Sequence, residues 1–235
     1  MQPMTHPVWT HAARRATRDH MPNAQPTSRR RKTSKSKLST DAPVLFFKSF
    51  LERPMEVGSI IPSSRFLERR VTRNARLDRA HVVVELGPGT GGTTQALLRA
   101  MRPDAVLLAI EINPRLAESV RARITDPRLV VHCGSADDIP GALAAHGLAA
   151  PDAVISGIPF STMPRPVALA ILRSIKDCLA PGGCFVPYQV RDRVAVLARE
   201  VFGKHSHVEL EVRNVPPMRV WRYDSAPASD SPRLR

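Results

Sequence analysis

Three groups of residues in this chain have types and spacing that could do chemistry. The first is a glycine loop, VVVELGPGTGG over residues 82–92, in which Gly87, Gly89 and Gly91 follow an apolar run and open a helical pattern. Glycine here permits a tight turn at positive φ and lets a ligand lie against bare backbone. The helix start behind it offers free N–H groups. The second is Glu111, twenty residues past Gly91 at the end of the next apolar run. A carboxylate there can accept from both hydroxyls of a ribose. Turns collect glycine for purely structural reasons, and a single glutamate at a strand end is usually solvated. The two in this register together point to a nucleoside cofactor. The third group is Ser156-Gly157-Ile158-Pro159-Phe160, directly after the apolar run DAVI. It offers backbone and a ring, but no side chain at its second position.

The elements that must position these groups are legible from hydropathy. Apolar runs at 81–86, 105–111, 128–133, 152–156 and 184–190 alternate with helical patterns at 93–101, 114–124, 165–180 and 192–202. Pro114 falls in the first turn of one helix, and PGG ends another. Strands alternating with helices predict an α/β fold with a parallel, doubly wound sheet. Residues 207–215 and 218–224, broken by Pro216-Pro217, read as a closing antiparallel pair, which brings the sheet to seven strands. The sheet is therefore mostly parallel with an antiparallel C-terminal strand, and ligands in such sheets sit at the carboxyl ends of the strands.

Composition divides the 235 residues further. Residues 1–40 carry a net charge of +8 out of the chain's +14, with frequent Pro, Ser and Thr and no long apolar run. They read as a disordered basic arm, because too little apolar surface is available to offset ordering entropy. Residues 225–235 read as a disordered tail. Residues 41–75 predict N-terminal helices. Phe46, Phe47, Phe50 and Leu51 share one helical face, Lys48, Ser49, Glu52 and Arg53 the other, and Pro54 ends the helix. A second helix starts after IIPSS, with Ser63 or Ser64 as its N-cap. The main domain then spans 76–224. The first residues hold no secretory apolar core, and no run approaches a membrane span. The Arg-rich arm leaves a transit peptide open, and Met21 an alternative start. Cys133, Cys178 and Cys184 lack metal spacing and read as buried thiols in a reducing compartment, with no metal site. A +14 chain seeks anions, either nucleic acid or an anionic membrane surface.

The glycine loop reads Glu-Leu-Gly-Pro-Gly-Thr-Gly rather than Gly-x-Gly-x-x-Gly. In this it resembles the first motif of class I S-adenosylmethionine-dependent methyltransferases, whose fold is Rossmann-like. The resemblance implies S-adenosylmethionine as cofactor. Gly87, Gly89, Thr90 and Gly91 would then form its cradle, Glu85 would hold the methionine part, Glu111 the ribose, and Ile112 would flank the adenine. That family normally carries Gly-Asp-Ala after the third strand. Here Gly134-Ser135-Ala136-Asp137 stands there, so the adenine contact passes to Ser135 or Asp137. Asp137 and Asp138 serve equally well as helix N-caps.

In members that methylate adenine or amide nitrogens, the fourth strand ends in Asn or Asp, x, Pro, Tyr or Phe. Here Pro159 and Phe160 match, but Gly157 replaces the side-chain acceptor, which removes the contact that selects a planar amine. Taken together, RPMEVGSIIPSS, VVELGPGTG, SGIPFSTMP and LAPGGCFVPYQV resemble the bacterial phospholipid N-methyltransferases of the soluble, membrane-associating type. That resemblance implies stepwise N-methylation of phosphatidylethanolamine by a peripheral protein, a monomer when soluble, at the inner face of the cytoplasmic membrane. Ser156, which would also contact the cofactor, and Gly157 would meet the amine through backbone. Phe160 and Tyr188 would face the methylated cations with their rings, or else be core and strand residues. The apolar stripe at 46–51 and the basic arm form the two-signal pattern of peripheral attachment, although a stripe of that kind also suits a helix packed on the sheet. The alternatives are an RNA adenine N6-methyltransferase, which the charge favours and Gly157 opposes, and a non-catalytic anion-binding protein on the same scaffold.

Overall fold

A computed structural model describes residues 63–227 of the protein; the basic arm, the stripe at 46–51 and most of the tail lie outside the described residues. Helix α1 (Arg65–Asn74) comes first. Then β1 (Val82–Leu86), α2 (Gly92–Ala100), β2 (Val106–Glu111), α3 (Pro114–Arg123) and β3 (Leu129–Cys133) alternate. They continue as α4 (Ile139–Ala145), β4 (Ala153–Ser156), α5 (Arg165–Cys178), β5 (Cys184–Gln189) and α6 (Arg193–Phe202), and β6 (His207–Glu211) and β7 (Met218–Asp224) close the chain. The seven strands form a sheet in the order β3-β2-β1-β4-β5-β7-β6. Strands β1 to β5 are parallel and β7 is antiparallel to both neighbours, as expected from the sequence. The chain order reverses between β1 and β4, so a crevice opens at their carboxyl ends.

The central strands are buried throughout, which is why they read as continuous apolar runs rather than alternating ones. Their side chains still alternate between two packing clusters, one on each face of the sheet. Val83, Ile155, Val186 and Tyr188 pack with Leu67 and Val71 of α1 and Leu97 of α2. Val84, Leu86, Val154 and Phe185 pack with α4, α5 and α6. Helix α5 is amphipathic, burying Val167, Leu169, Ile171, Leu172 and Ile175. Helix α4 has no counterpart in the hydropathy reading. Its sequence, IPGALAA, carries two residues usually found in turns, but Pro140 stands in the first turn and Asp138 caps it by accepting from Gly141 N–H at 3.0 Å.

Helix α1 starts at Ser64, whose Oγ accepts from Leu67 N–H at 3.3 Å. It is fastened to the far end of the chain by a dense polar latch. Arg70 donates to Glu211 at 2.6 Å and also to Glu209. Arg73 and Asn74 reach Glu209 at 2.7 and 3.0 Å, and the buried Arg222 donates to the Asn74 carbonyl at 2.8 Å. Burial alone would raise the Glu209 carboxyl, but bonds from Asn74, Arg73, Arg70 and His207 pull it down to about 2. Arg213 first and Arg70 second hold Glu211 at about 2. Both acids therefore add stability above the ordinary carboxylate range and lose that contribution as pH falls toward 2. Of the cysteines, Cys178 and Cys184 are buried, with burial pushing their thiols up to about 12 and about 11. Cys133, read as buried from its place at the end of an apolar run, is exposed, because β3 is an edge strand that is only partly covered. No metal-ligating cluster occurs among the described residues.

Candidate active site

The glycine loop turns at the carboxyl end of β1. Gly87, Gly89 and Gly91 all have positive φ (73°, 57° and 85°), which only glycine adopts without strain. The three differ in what surrounds them. A Cβ on Gly87 would stand 2.6 Å from the Ile158 side chain, so this glycine lets the β1 and β4 loops touch. A Cβ on Gly89 would meet nothing within 4 Å; the space over it is open for a ligand. Gly91 is the N-cap of α2 and supplies no side-chain cap, so the first N–H groups of that helix remain free for an anion or a polar ligand.

Two acids flank the loop. Glu111 accepts from Gly89 N–H at 3.2 Å and from Asn113 N–H at 3.0 Å, which fixes its carboxylate against the loop backbone. Burial raises its pKa, and those backbone bonds oppose the rise. Glu85 is almost wholly buried. One oxygen accepts from Thr94 Oγ1 at 2.7 Å, and the other, Oε1, has no partner in the chain. Burial, with a smaller push from Glu111, raises this carboxyl to about 7 against the Thr94 bond. A buried carboxylate with an orphan oxygen is costly, and a cationic ligand would relieve it.

The β4 loop lies next door, since Leu86 pairs with Ser156. Ser156 is fully buried, with its Oγ unpartnered. Gly157 has no positive φ, and packing explains it instead. A Cβ there would stand 2.5 Å from Tyr188 Oη and 3.0 Å from its Cζ. The phenol thus closes the space that a side chain at 157 would need. Tyr188 Oη in turn bonds Thr93 Oγ1 at 3.2 Å, which bonds Ser63 Oγ at 3.2 Å. Burial first, then the charge of Glu85, drive the phenol pKa upward, so Tyr188 stays protonated.

Phe160 requires a correction. Its ring is fully buried among the residues under α4 and α5, with no face open to a cation, and it packs in the opposite cluster from Tyr188. Ser135, Ala136 and Asp137 follow β3, next to the end of β2, with Ala136 buried. Asp138 rather than Asp137 takes the helix cap. Thr90 is exposed and Ile112 partly so. Three residues that sequence reasoning passed over belong here. Thr94 fixes Glu85 of β1 and Thr93 fixes Tyr188 of β5, and Gln189 donates to the Ile158 carbonyl at 2.6 Å, pinning the β4 loop. Two hydroxyls in the first turn of the helix after a glycine loop were a readable signal. Gln189 in an apolar strand was another.

The fold and this crevice define a class. Residues 83–183 match the family model described as a methyltransferase domain. The fold is that of the N-methyltransferase NodS from Bradyrhizobium japonicum in complex with S-adenosyl-L-homocysteine (TM-score 0.54, 15% identity, 69% of this chain and 89% of that one). It is also that of the O-methyltransferase TomG from Streptomyces achromogenes in complex with SAM (TM-score 0.55, 20% identity, 81% and 93%). The protein is a class I S-adenosylmethionine-dependent methyltransferase, and S-adenosylmethionine is its cofactor. More narrowly, it is 32% identical over 177 residues to the ornithine lipid N-methyltransferase of Singulisphaera acidiphila, covering 74% of this chain and 91% of that protein. The chain belongs to that enzyme's family of lipid N-methyltransferases. Similarity to ribosomal RNA small subunit methyltransferase A is more partial. The Caulobacter vibrioides protein is 37% identical over 65% of this chain and 62% of its own length, and the Nocardia farcinica protein 35% identical over 54% and 43%.

Proposed function

We propose that the protein methylates the primary amine of phosphatidylethanolamine headgroups, in one or more steps, at an anionic membrane surface. The observation that carries this reading is the closure of Gly157 by Tyr188. A planar base amine needs a side-chain acceptor at that position, and the phenol leaves no room for one. A flexible alkylamine needs only backbone carbonyls, which Ser156 and Gly157 can offer, in a site that disfavours the ammonium form. An alkylamine loses its proton at a pKa of about 10 in water, and burial at the apolar end of β4 lowers that value.

S-adenosylmethionine, when bound, supplies a sulfonium methyl group, which the neutral amine takes in an in-line displacement as the carbon–sulfur bond breaks. The chain's own residues position the partners. Glu85 Oε1 would accept from the cofactor's ammonium and Glu111 from its ribose hydroxyls. Ile112, Ser135 and Asp137 would border the adenine, and the glycines would give backbone approach. Tyr188, held by Thr93, walls the acceptor side.

The stripe at Phe46, Phe47, Phe50 and Leu51 and the basic arm would bring the domain to the inner face of the cytoplasmic membrane. No helix among the described residues is long and apolar enough to cross a membrane. A second lipid reading, the amine of an ornithine lipid, is favoured by the relative from Singulisphaera acidiphila. Labelled methyl donor offered to anionic vesicles containing phosphatidylethanolamine, to vesicles containing ornithine lipid, and to total RNA separates these readings. Label in the first supports the proposal, label only in the second moves it to the other lipid, and label only in RNA overturns both. Replacing Phe47 and Phe50 by Ser should weaken vesicle binding while sparing cofactor binding.

A further inference from the structure

The β6–β7 connection, residues 212–217, has a composition that no packing within the domain explains. Val212 and Val215 are 63% and 87% exposed. The loop that follows β5 adds Val190 at 37% exposure and, beside it, Arg191 and Arg193, both exposed. Arg219 is exposed at the start of β7 and pairs across the sheet with Gln189, the residue before Val190. None of these three arginines has a side-chain partner among the described residues. Asp192 is the one acid between them, and Glu211 is already engaged by Arg70 and Arg213.

Topology puts this surface on the rim of the active site. Strand β6 is antiparallel to β7, and β7 is antiparallel to β5. The carboxyl end of β6 therefore lies at the same edge of the sheet as the carboxyl ends of β1 and β4, where the crevice opens. A bonded path joins the two places. Asn214 Oδ1 accepts from Ser64 N–H at 2.8 Å, and the adjacent Ser63 leads through Thr93 to Tyr188 and Gly157.

We propose that this rim is a membrane-docking surface of the folded domain, with Val190, Val212 and Val215 entering the interface of an anionic bilayer and Arg191, Arg193 and Arg219 meeting its phosphates. The proposal rests on the lipid reading above and adds to it the part of the globular domain that touches the bilayer. Exposed aliphatics among unpaired cations match a surface that is apolar beneath and anionic on top. Nucleic acid would use the arginines and leave the valines without a role. A second copy would bury the valines but bring the arginines of two rims together.

The test uses the full chain in a Cys133→Ser background, because Cys133 is exposed. An environment-sensitive fluorophore is placed at Val215→Cys and, as a control at the opposite end of the sheet, at the exposed Ala149→Cys. On vesicles of phosphatidylethanolamine with an anionic lipid, the label at 215 should shift to the blue while that at 149 stays in water. A label at 215 that stays in water while the protein is vesicle-bound overturns the proposal. So does a shift on RNA alone, or a shift in buffer that grows with protein concentration and marks self-association. Reversing Arg191 and Arg219 to Glu should weaken vesicle affinity by about tenfold or more and leave methylation of detergent-dispersed lipid unchanged; unchanged vesicle affinity counts against the proposal. If dispersed lipid is methylated but 215 does not insert, this inference fails and the lipid reading stands. If no amine lipid is methylated in either form, the lipid reading fails first.

Discussion

Two polar regions of the molecule, the crevice at the ends of β1 and β4 and the latch between α1 and β6–β7, handle buried charge in opposite ways. In the latch every acid is saturated. Glu211 takes bonds from Arg70 and Arg213, and Glu209 from Arg70, Arg73, Asn74 and His207. Both carboxyls sit at about 2. In the crevice the accounts stay open. Glu85 keeps an orphan oxygen and a carboxyl at about 7, and Ser156 Oγ has no partner. The latch is finished within the chain, whereas the crevice leaves buried polar atoms that a ligand would satisfy. An unsatisfied buried acid is thus a better marker of function here than the number of charges in a cluster.

Mutations should separate the two regions sharply, in descending order of effect on turnover. Glu111→Ala removes the proposed ribose acceptor and should lower methyl transfer by about 100-fold or more, since bonds to charged groups are worth roughly 1.5–3 kcal/mol each. The latch and the melting temperature should be nearly untouched, and a collapse of the fold would break the comparison. Gly157→Ala forces a methyl group against the Tyr188 phenol. Overpacking of about 1–3 kcal/mol should cost turnover roughly ten- to fiftyfold, and a second change, Tyr188→Leu, should recover part of the melting temperature.

The pH dependence comes next. Because the folded-state pKa of Glu85 is raised, its ionised form costs stability as pH rises from about 4.5 through 7. A cationic ligand reverses that preference. Cofactor affinity should fall about tenfold between pH 8 and pH 6, with proton release on binding near neutrality. Calorimetry in buffers of different ionisation enthalpy reads this directly, and Glu85→Gln should abolish the proton release. Glu211→Ala should have the smallest effect on turnover per folded molecule, about twofold or less. It should lower the melting temperature by about 5 °C or more and flatten the acid limb of the stability profile between about pH 4.5 and 2.

The sheet was readable because its central strands are apolar on both faces and its helices carry a 3.6-residue stripe. Helix α4 escaped because its proline and glycine sit in the capped first turn, where they do no harm. On the cofactor side, the glycine loop and Glu111 in register were legible as a pair, while the role of Glu85 came from the family resemblance. The acceptor side was not. That Gly157 is required by Tyr188 depends on strands β4 and β5 lying side by side, 31 residues apart in sequence. Phe160 matched a motif and still proved to be core, since a motif fixes residue type and leaves open which face of the sheet a ring enters. The latch is invisible in one dimension, because its partners stand 135 to 148 residues apart.

That separation gives the latch a meaning during synthesis. Helix α1 emerges well before β6 and β7, with Leu67 and Val71 needing cover, yet those two strands hold its charged face. Contacts this distant form late. Until β6 and β7 arrive, Ser63 has no fixed place beside Thr93, and the wall behind Gly157 lacks its support. An unfinished chain would then present a glycine loop able to meet the cofactor without a shaped acceptor pocket, and methyl transfer would begin only when β7 closes over α1.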